Sequence, residues 1–325
     1  MQKGVERITK VMMICLLAIM IVLVIRVATL PGASEGVSFY LVPNFKAMAD
    51  IGIGNVVFGA MSQAFFTLSI GIGSMAIFGS YLDKTHSLAG EAISITALDT
   101  LVAVLAGFIV IPACFAFGVE PGAGPPLIFI TLPNIFEQMA GGQIWGAFFF
   151  LFLSFAALTT VVAVFENILS FAMDLWDWPR KKAVAVNIVA IIILSLPCVL
   201  GFNALSGIMP FGEGSNIMDL EDFIVSNNLL PLGSMVYLLF CASRYGWGWD
   251  NFMEEVNAGN GMKLPNTPFM KLYMCWILPA IIVIIYVKGY WDKFGASPWL
   301  LVCVALLAFI GYVIFYRKKP STTIS

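Results

Sequence analysis

Charge is what this sequence has least of. Asp, Glu, Lys and Arg make up 11% of its 325 residues, while 60% are hydrophobic; soluble domains carry about a quarter charged residues. A net charge of −2 removes any case for nucleic acid as a partner. His86 is the single histidine, and none of Cys15, Cys114, Cys198, Cys241, Cys275 and Cys303 forms a CxxC pair, so a Cys/His metal cluster cannot be assembled. The cysteines lie in or beside apolar segments and read as small core or lipid-facing residues. Glycine and proline are spread through apolar stretches and not gathered in low-complexity tracts, which excludes a disordered chain. What remains is an all-α polytopic membrane protein whose solvent is the lipid bilayer.

A spanning helix needs about 20 mostly apolar residues. Eight segments satisfy this: 11–30, 53–82, 92–118, 144–171, 183–202, 229–247, 272–288 and 298–316. Their continuous apolar character excludes alternating barrel strands. Basic residues collect on alternate connections: Lys3, Arg7 and Lys10; Lys84; Arg180, Lys181 and Lys182; Lys263 and Lys271; Arg317, Lys318 and Lys319. The opposite side holds Lys46, Lys288 and Lys293. By the positive-inside rule both termini are cytoplasmic, which eight spans allow, and a multi-pass protein of the plasma (inner) membrane is expected. Two outer connections are more than linkers. Residues 129–142 read as a short helix started by Pro133, and the stretch 201–228 carries Glu213, Asp219, Glu221 and Asp222, an acidic mouth.

Polar groups inside the membrane are costly and therefore candidates for function. The second span places Thr67, Ser69, Gly71, Gly73 and Ser74 near its middle. Two glycines in three residues there fit a helix that unwinds at 69–73, exposing backbone groups that bind ions and carboxylates. They equally fit close packing of small residues. Asp99 is a lone acid inside the third span, either a cation ligand or a helix-end residue reaching water. Thr159 and Thr160 sit in the fourth span, where hydroxyls either bond back to their own helix or supply oxygen ligands to sodium. No nucleophile–base motif appears, and Asp99, Glu166 and Asp174 lie at different depths, which argues against an enzyme.

The run Phe65-Phe-Thr-Leu-Ser-Ile-Gly-Ile-Gly73 resembles the unwound sixth helix of the neurotransmitter:sodium symporters, the LeuT-type transporters. Lys3-Gly-Val-Glu-Arg-Ile with Val24-Ile-Arg26 and Leu30-Pro-Gly-Ala33 resembles the ends of their fifth helix. Phe129-Ile-Thr-Leu-Pro133 with Gly141-Gly142 resembles their fourth extracellular loop. Ala156-Ala-Leu-Thr-Thr160 is similar to the sodium-binding stretch of the eighth helix, and Glu254-Glu-Val-Asn257 to the end of the tenth.

The resemblance implies a sodium-dependent amino-acid symporter without an organic cofactor. It makes Thr67 and Asp99 ligands of a first sodium, and Ala156 (through its carbonyl), Thr159 and Thr160 ligands of a second. Phe66 becomes an aromatic lid, with Ser69, Ile72 and Val164 lining the substrate pocket; that apolar lining favours a hydrophobic or aromatic amino acid. Tyr81 and Asp174 match a cytoplasmic gate. The external gate acid falls at Ile224, with Asp222 the nearest carboxylate. It also implies that the chain corresponds to the fifth to twelfth helices of an inverted-repeat fold, with the first four absent. Two expectations follow: a truncated symporter inactive alone, needing a second chain to supply the missing helices, or a short paralogue acting as a regulatory or partner subunit.

Overall fold

The computed structural model describes residues 2–119, 121, 127–243 and 245–316. The basic group Arg317, Lys318 and Lys319 lies outside the described residues. In chain order the helices are α1 (Gln2–Ala28), α2 (Ala33–Leu41), α3 (Phe45–Ile51), α4 (Ile53–Thr67), α5 (Ser74–Tyr81), α6 (Leu88–Ala116), α7 (Leu132–Gln138), α8 (Gly142–Trp176), α9 (Arg180–Leu200), α10 (Ile217–Ile224), α11 (Leu230–Ala242), α12 (Trp249–Val256), α13 (Pro268–Leu272), α14 (Leu278–Phe294) and α15 (Trp299–Tyr316). Short π-helical turns at Leu127–Thr131, Val225–Leu229 and Tyr273–Ile277 run into α7, α11 and α14.

Among the described residues, six helical stretches are long and apolar enough to cross a membrane: Arg7–Ala28, Leu88–Ala116, Gly142–Trp176, Arg180–Leu200, Ile217–Ala242 and Pro268–Phe294. Six of the eight expected spans are thus single long helices, and the other two, 53–82 and 298–316, are not. The segment 53–82 is divided into α4 and α5, of 15 and 8 residues, and at 1.5 Å per residue neither spans ~30 Å alone. The last apolar helix, α15, has 18 described residues, about 27 Å at 1.5 Å per residue. Part of the acidic stretch 201–228 is helical. Asp219, Glu221 and Asp222 belong to helix α10, because Asn216 and Asp219 form a reciprocal capping box there: the Asp219 N–H donates to Asn216 Oδ1 at 3.1 Å, and the Asn216 N–H to Asp219 Oδ2 at 2.7 Å.

The chain divides into two compact units, residues 1–53 with 95–163, and 54–94 with 164–325. In the first, α1 presents a buried stripe of Leu16, Met20, Leu23 and Val27, spaced for one helical face. It packs with Ile109, Ala113 and Cys114 of α6, Leu132, Ile135 and Phe136 of α7, and Phe149 and Phe152 of α8. Lipid tails are as apolar as leucine, so close contact and not escape from water must hold such helices together. Gly36 of α2 supplies that closeness: a Cβ there would sit 2.5 Å from the Pro112 Cα. Its outward faces, including Ile8, Val11, Ile14 and Ile25, stay exposed and apolar, as lipid requires.

In the second unit, Phe223, Tyr286, Tyr290 and Cys303 from α10, α14 and α15 form a core. The π turn at Val225–Leu229 re-aims Asn228, whose Oδ1 accepts from the hydroxyls of Tyr286 (3.2 Å) and Tyr290 (2.6 Å). Leu169 and Ala172 of α8 pack with Ala183 of α9 in a smaller cluster. The connection after α5 is clasped to that after α12: Lys84 pairs with Glu255 at 2.5 Å, the Asn260 N–H donates to the Thr85 carbonyl at 2.8 Å, and Ser87 Oγ to the Met262 carbonyl at 2.6 Å.

Candidate functional site

The sequence places alternating small residues after α4, and the helix ends there. Ser69, Gly71 and Gly73 all take positive φ, at 50°, 93° and 95°. The Ser69 N–H reaches the Phe66 carbonyl and the Ile70 N–H the Phe65 carbonyl, both at 3.1 Å. That pair of bonds is the Schellman arrangement of a helix C-terminus, with Ser69 in the left-handed position that glycine usually fills. A non-glycine residue there stores about 1–2 kcal/mol of strain, the kind of cost found where backbone is held for a purpose. The expected unwinding at 69–73 is therefore present, and α5 begins at Ser74.

The break is wedged against its own unit. A Cβ on Gly71 would lie 2.6 Å from the Ser234 nitrogen and closer still to the Leu230 carbonyl, and Gly233 of α11 meets Gly71 in the same way. So both helix packing and unwinding, the two readings of these glycines, hold at once. At Gly73 a Cβ would meet the Tyr237 hydroxyl at 2.7 Å and the Asn167 side-chain amide at 3.2 Å. Asn167, on α8, donates its Nδ2 to the Ile72 carbonyl at 2.9 Å. Ser74 Oγ is buried beside the break with no hydrogen-bond partner.

The proposed site residues fall into two groups. Phe66, Thr67, Ser69, Ile72 and Tyr81 lie along α4, the break and α5, in the same unit as Val164 and Asp174 of α8. Asp99 of α6 and Ala156, Thr159 and Thr160 of α8 lie in the other unit. Within α8 the hydroxyls of Thr159 (2.8 Å) and Thr160 (3.3 Å) both donate to the Ala156 carbonyl, the back-bonded arrangement. This gathers three oxygens on one turn of helix.

Tyr81 donates its hydroxyl to Glu166 Oε1 at 3.2 Å. Glu166 in turn accepts two bonds from Arg180, at 2.9 and 2.7 Å, a bidentate pair in which the Glu166 side chain is mostly buried and that of Arg180 a third exposed. Reading the sequence did not find Asn167 or the Glu166–Arg180 pair. The available signal was a polar Glu166-Asn167 doublet late in an apolar helix. Elsewhere in the second unit, Asp219, Asp222, Asp292, Lys293 and Phe58 line a cavity of about 250 Å³. Beside it Lys288 bonds to Asp292 at 2.8 Å and to Asn55 Oδ1 at 2.9 Å.

A set of long apolar helices with one discontinuous helix, its freed backbone gripped by neighbours, has the build of a multi-pass helical membrane protein. The chain belongs to the sodium:neurotransmitter symporter family, whose model matches residues 1–293; the family consists of transporters and not enzymes. It is 36% identical over 287 residues to an uncharacterized sodium-dependent transporter, YhdH, of Bacillus subtilis, covering 88% of this chain and 62% of that protein. An uncharacterized sodium-dependent transporter of Haemophilus influenzae is 34% identical over 291 residues, covering 88% and 60%. The crystal structure of MhsT in complex with L-phenylalanine superposes with a TM-score of 0.73 at 37% identity, over 86% of this chain and 62% of that one. This chain thus spans about three-fifths of the length of these relatives.

Proposed function

We propose that this chain supplies half of the pocket of a sodium:amino-acid symporter of the plasma membrane, with both termini in the cytoplasm, eight membrane crossings and the α4–α5 pair counted as one broken crossing. The break between α4 and α5 carries this reading, because a half-helix terminus and freed backbone groups suit a zwitterion and a cation together. Thr67 and Asp99 hold one sodium ion, and the Ala156 carbonyl with Thr159 and Thr160 a second. Phe66 closes over the substrate, Ser69, Ile72 and Val164 line its side-chain pocket, and Tyr81 with Asp174 acts at the cytoplasmic gate. A hydrophobic or aromatic amino acid suits that lining, and the relative solved with L-phenylalanine supports the choice.

The pocket and the inverted-repeat fold are completed by helices beyond these 325 residues, so that the chain alone does not concentrate substrate. Proteoliposomes with an inward sodium gradient test this with L-phenylalanine. The chain alone is expected to be silent, and the chain co-reconstituted with the first four helices of the Bacillus relative to take up substrate. In the active preparation, Thr67→Ala or Thr160→Ala should raise the sodium concentration for half-maximal uptake about tenfold, roughly 1.4 kcal/mol of lost ion binding. Uptake by the chain alone overturns the claim of incompleteness. Unchanged sodium affinity in both variants overturns the ion-site assignment. Silence of the combined preparation, if the chain instead alters transport by an intact relative, favours the partner-subunit role.

A further inference from the structure

We infer that Asn167 is a positioning residue, which fixes the unwound segment through the Ile72 carbonyl and so holds the substrate-facing backbone in register. The inference rests on the reading of the break as the substrate site. Ile72 lies in the unwound segment between α4 and α5, and an unsatisfied carbonyl at membrane depth is costly. Asn167 Nδ2 meets it at 2.9 Å, from a helix 95 residues away in sequence.

Access depends on Gly73. Any Cβ there would press on the Asn167 amide and on the Tyr237 hydroxyl, so glycine is needed for the amide to reach past it. Ile72 lies between Gly71, held by positive φ against Leu230 and Ser234, and Gly73, also at positive φ. With both flanks fixed, the direction of the Ile72 carbonyl sets where the Ile72 side chain points.

The neighbouring Glu166 takes the Tyr81 hydroxyl at the far end of α5. Two consecutive residues of α8 therefore hold α5 by its two ends. Glu166 pairs with a residue at the end of the half-helix, whereas Asn167 alone acts on the break.

The test is amide hydrogen exchange of the whole 325-residue chain in lipid nanodiscs. Asn167→Leu keeps the approximate volume but has no donor for the Ile72 carbonyl. Exchange of the amides of Leu68–Gly73 is expected to accelerate at least tenfold, with those of α11 within twofold of wild type. Asn167→Gln, which keeps the donor, should restore exchange to within threefold. Unchanged exchange in Asn167→Leu, or an equal acceleration throughout both units, overturns the inference. Sodium with L-phenylalanine is then added to the wild type. Protection of Leu68–Gly73 that is lost in Asn167→Leu supports the positioning role at a substrate site. Local acceleration in Asn167→Leu without protection of the wild type upholds the anchoring but overturns the substrate reading.

Discussion

The stretch 53–81 and helix α6 make an instructive pair. Helix α6 contains Pro112 in its interior as well as Gly90 and Gly107, yet runs unbroken for 29 residues. The stretch 53–81 contains no proline and comes apart in the middle. Interior proline removes one helical donor and crowds the preceding turn, a cost that neighbours in a membrane bundle offset, and α6 stays continuous. At Gly107 the missing Cβ makes room for the Tyr40 ring, whose hydroxyl reaches the Val104 carbonyl at 3.4 Å. That glycine serves packing alone. Gly71 serves packing and a backbone conformation that other residues resist. Breaking a membrane helix takes residues that favour positive φ together with neighbours that satisfy what the break releases, such as Asn167 at Ile72.

The largest effect expected from this contrast is at Gly71. Gly71→Ala adds about 1–2 kcal/mol of backbone strain to about 1–3 kcal/mol of overpacking against a backbone that cannot swing aside. Gly107→Ala meets the Tyr40 side chain, which can rotate, and should cost about 1 kcal/mol. Apparent melting temperatures by size exclusion in detergent would rank the two. An equal or larger loss for Gly107→Ala would show that Gly71 is only a packing glycine.

A middle-sized effect is expected where α8 grips α5. Glu166→Ala leaves Arg180 without its bidentate partner and Tyr81 without its acceptor. Removing one member of a fully buried pair costs about 3–5 kcal/mol; with Arg180 a third exposed, about 1–3 kcal/mol is expected. A double-mutant cycle with Arg180→Leu should recover at least half of it. If the single and double variants are equally unstable, the pair contributes nothing and Glu166 acts by packing alone.

The helix break was legible in the sequence because glycine spacing encodes φ directly. The apolar runs were legible for the same local reason, as 20 residues of oil-like side chain admit few structures in a bilayer. What escaped was tertiary or lay at a boundary. Asn167 looks like any stray amide until Ile72, 95 residues earlier, comes within reach of it. Arg180 read as one member of a basic loop, whereas it folds back onto Glu166, 14 residues earlier. The span expected to begin at Leu229 is preceded by helix α10, although Asn216 and Asp219 carry a helix-start signature. There the local signal was present and the low hydrophobicity outweighed it. The candidate site splits along the same line. Its glycines announce themselves, but whether Thr159 and Thr160 turn to a cation or to the Ala156 carbonyl is set by what surrounds them.

The smallest predicted effect is the sharpest test of the comparison, because its sign differs between the two regions. Ser69 holds φ at 50° without being glycine. Ser69→Gly relieves about 1 kcal/mol of left-handed strain and loses about 0.5–1 kcal/mol to the greater freedom of the unfolded chain. The net change should lie between zero and a slight gain in apparent melting temperature. Ala97→Gly, at an exposed position in the interior of α6, has no strain to relieve and should lose about 1 kcal/mol. A destabilised Ser69→Gly would mean that the serine hydroxyl, and not the backbone, is what the break requires at this position; the strain at Ser69 would then be the cost of keeping that hydroxyl in place.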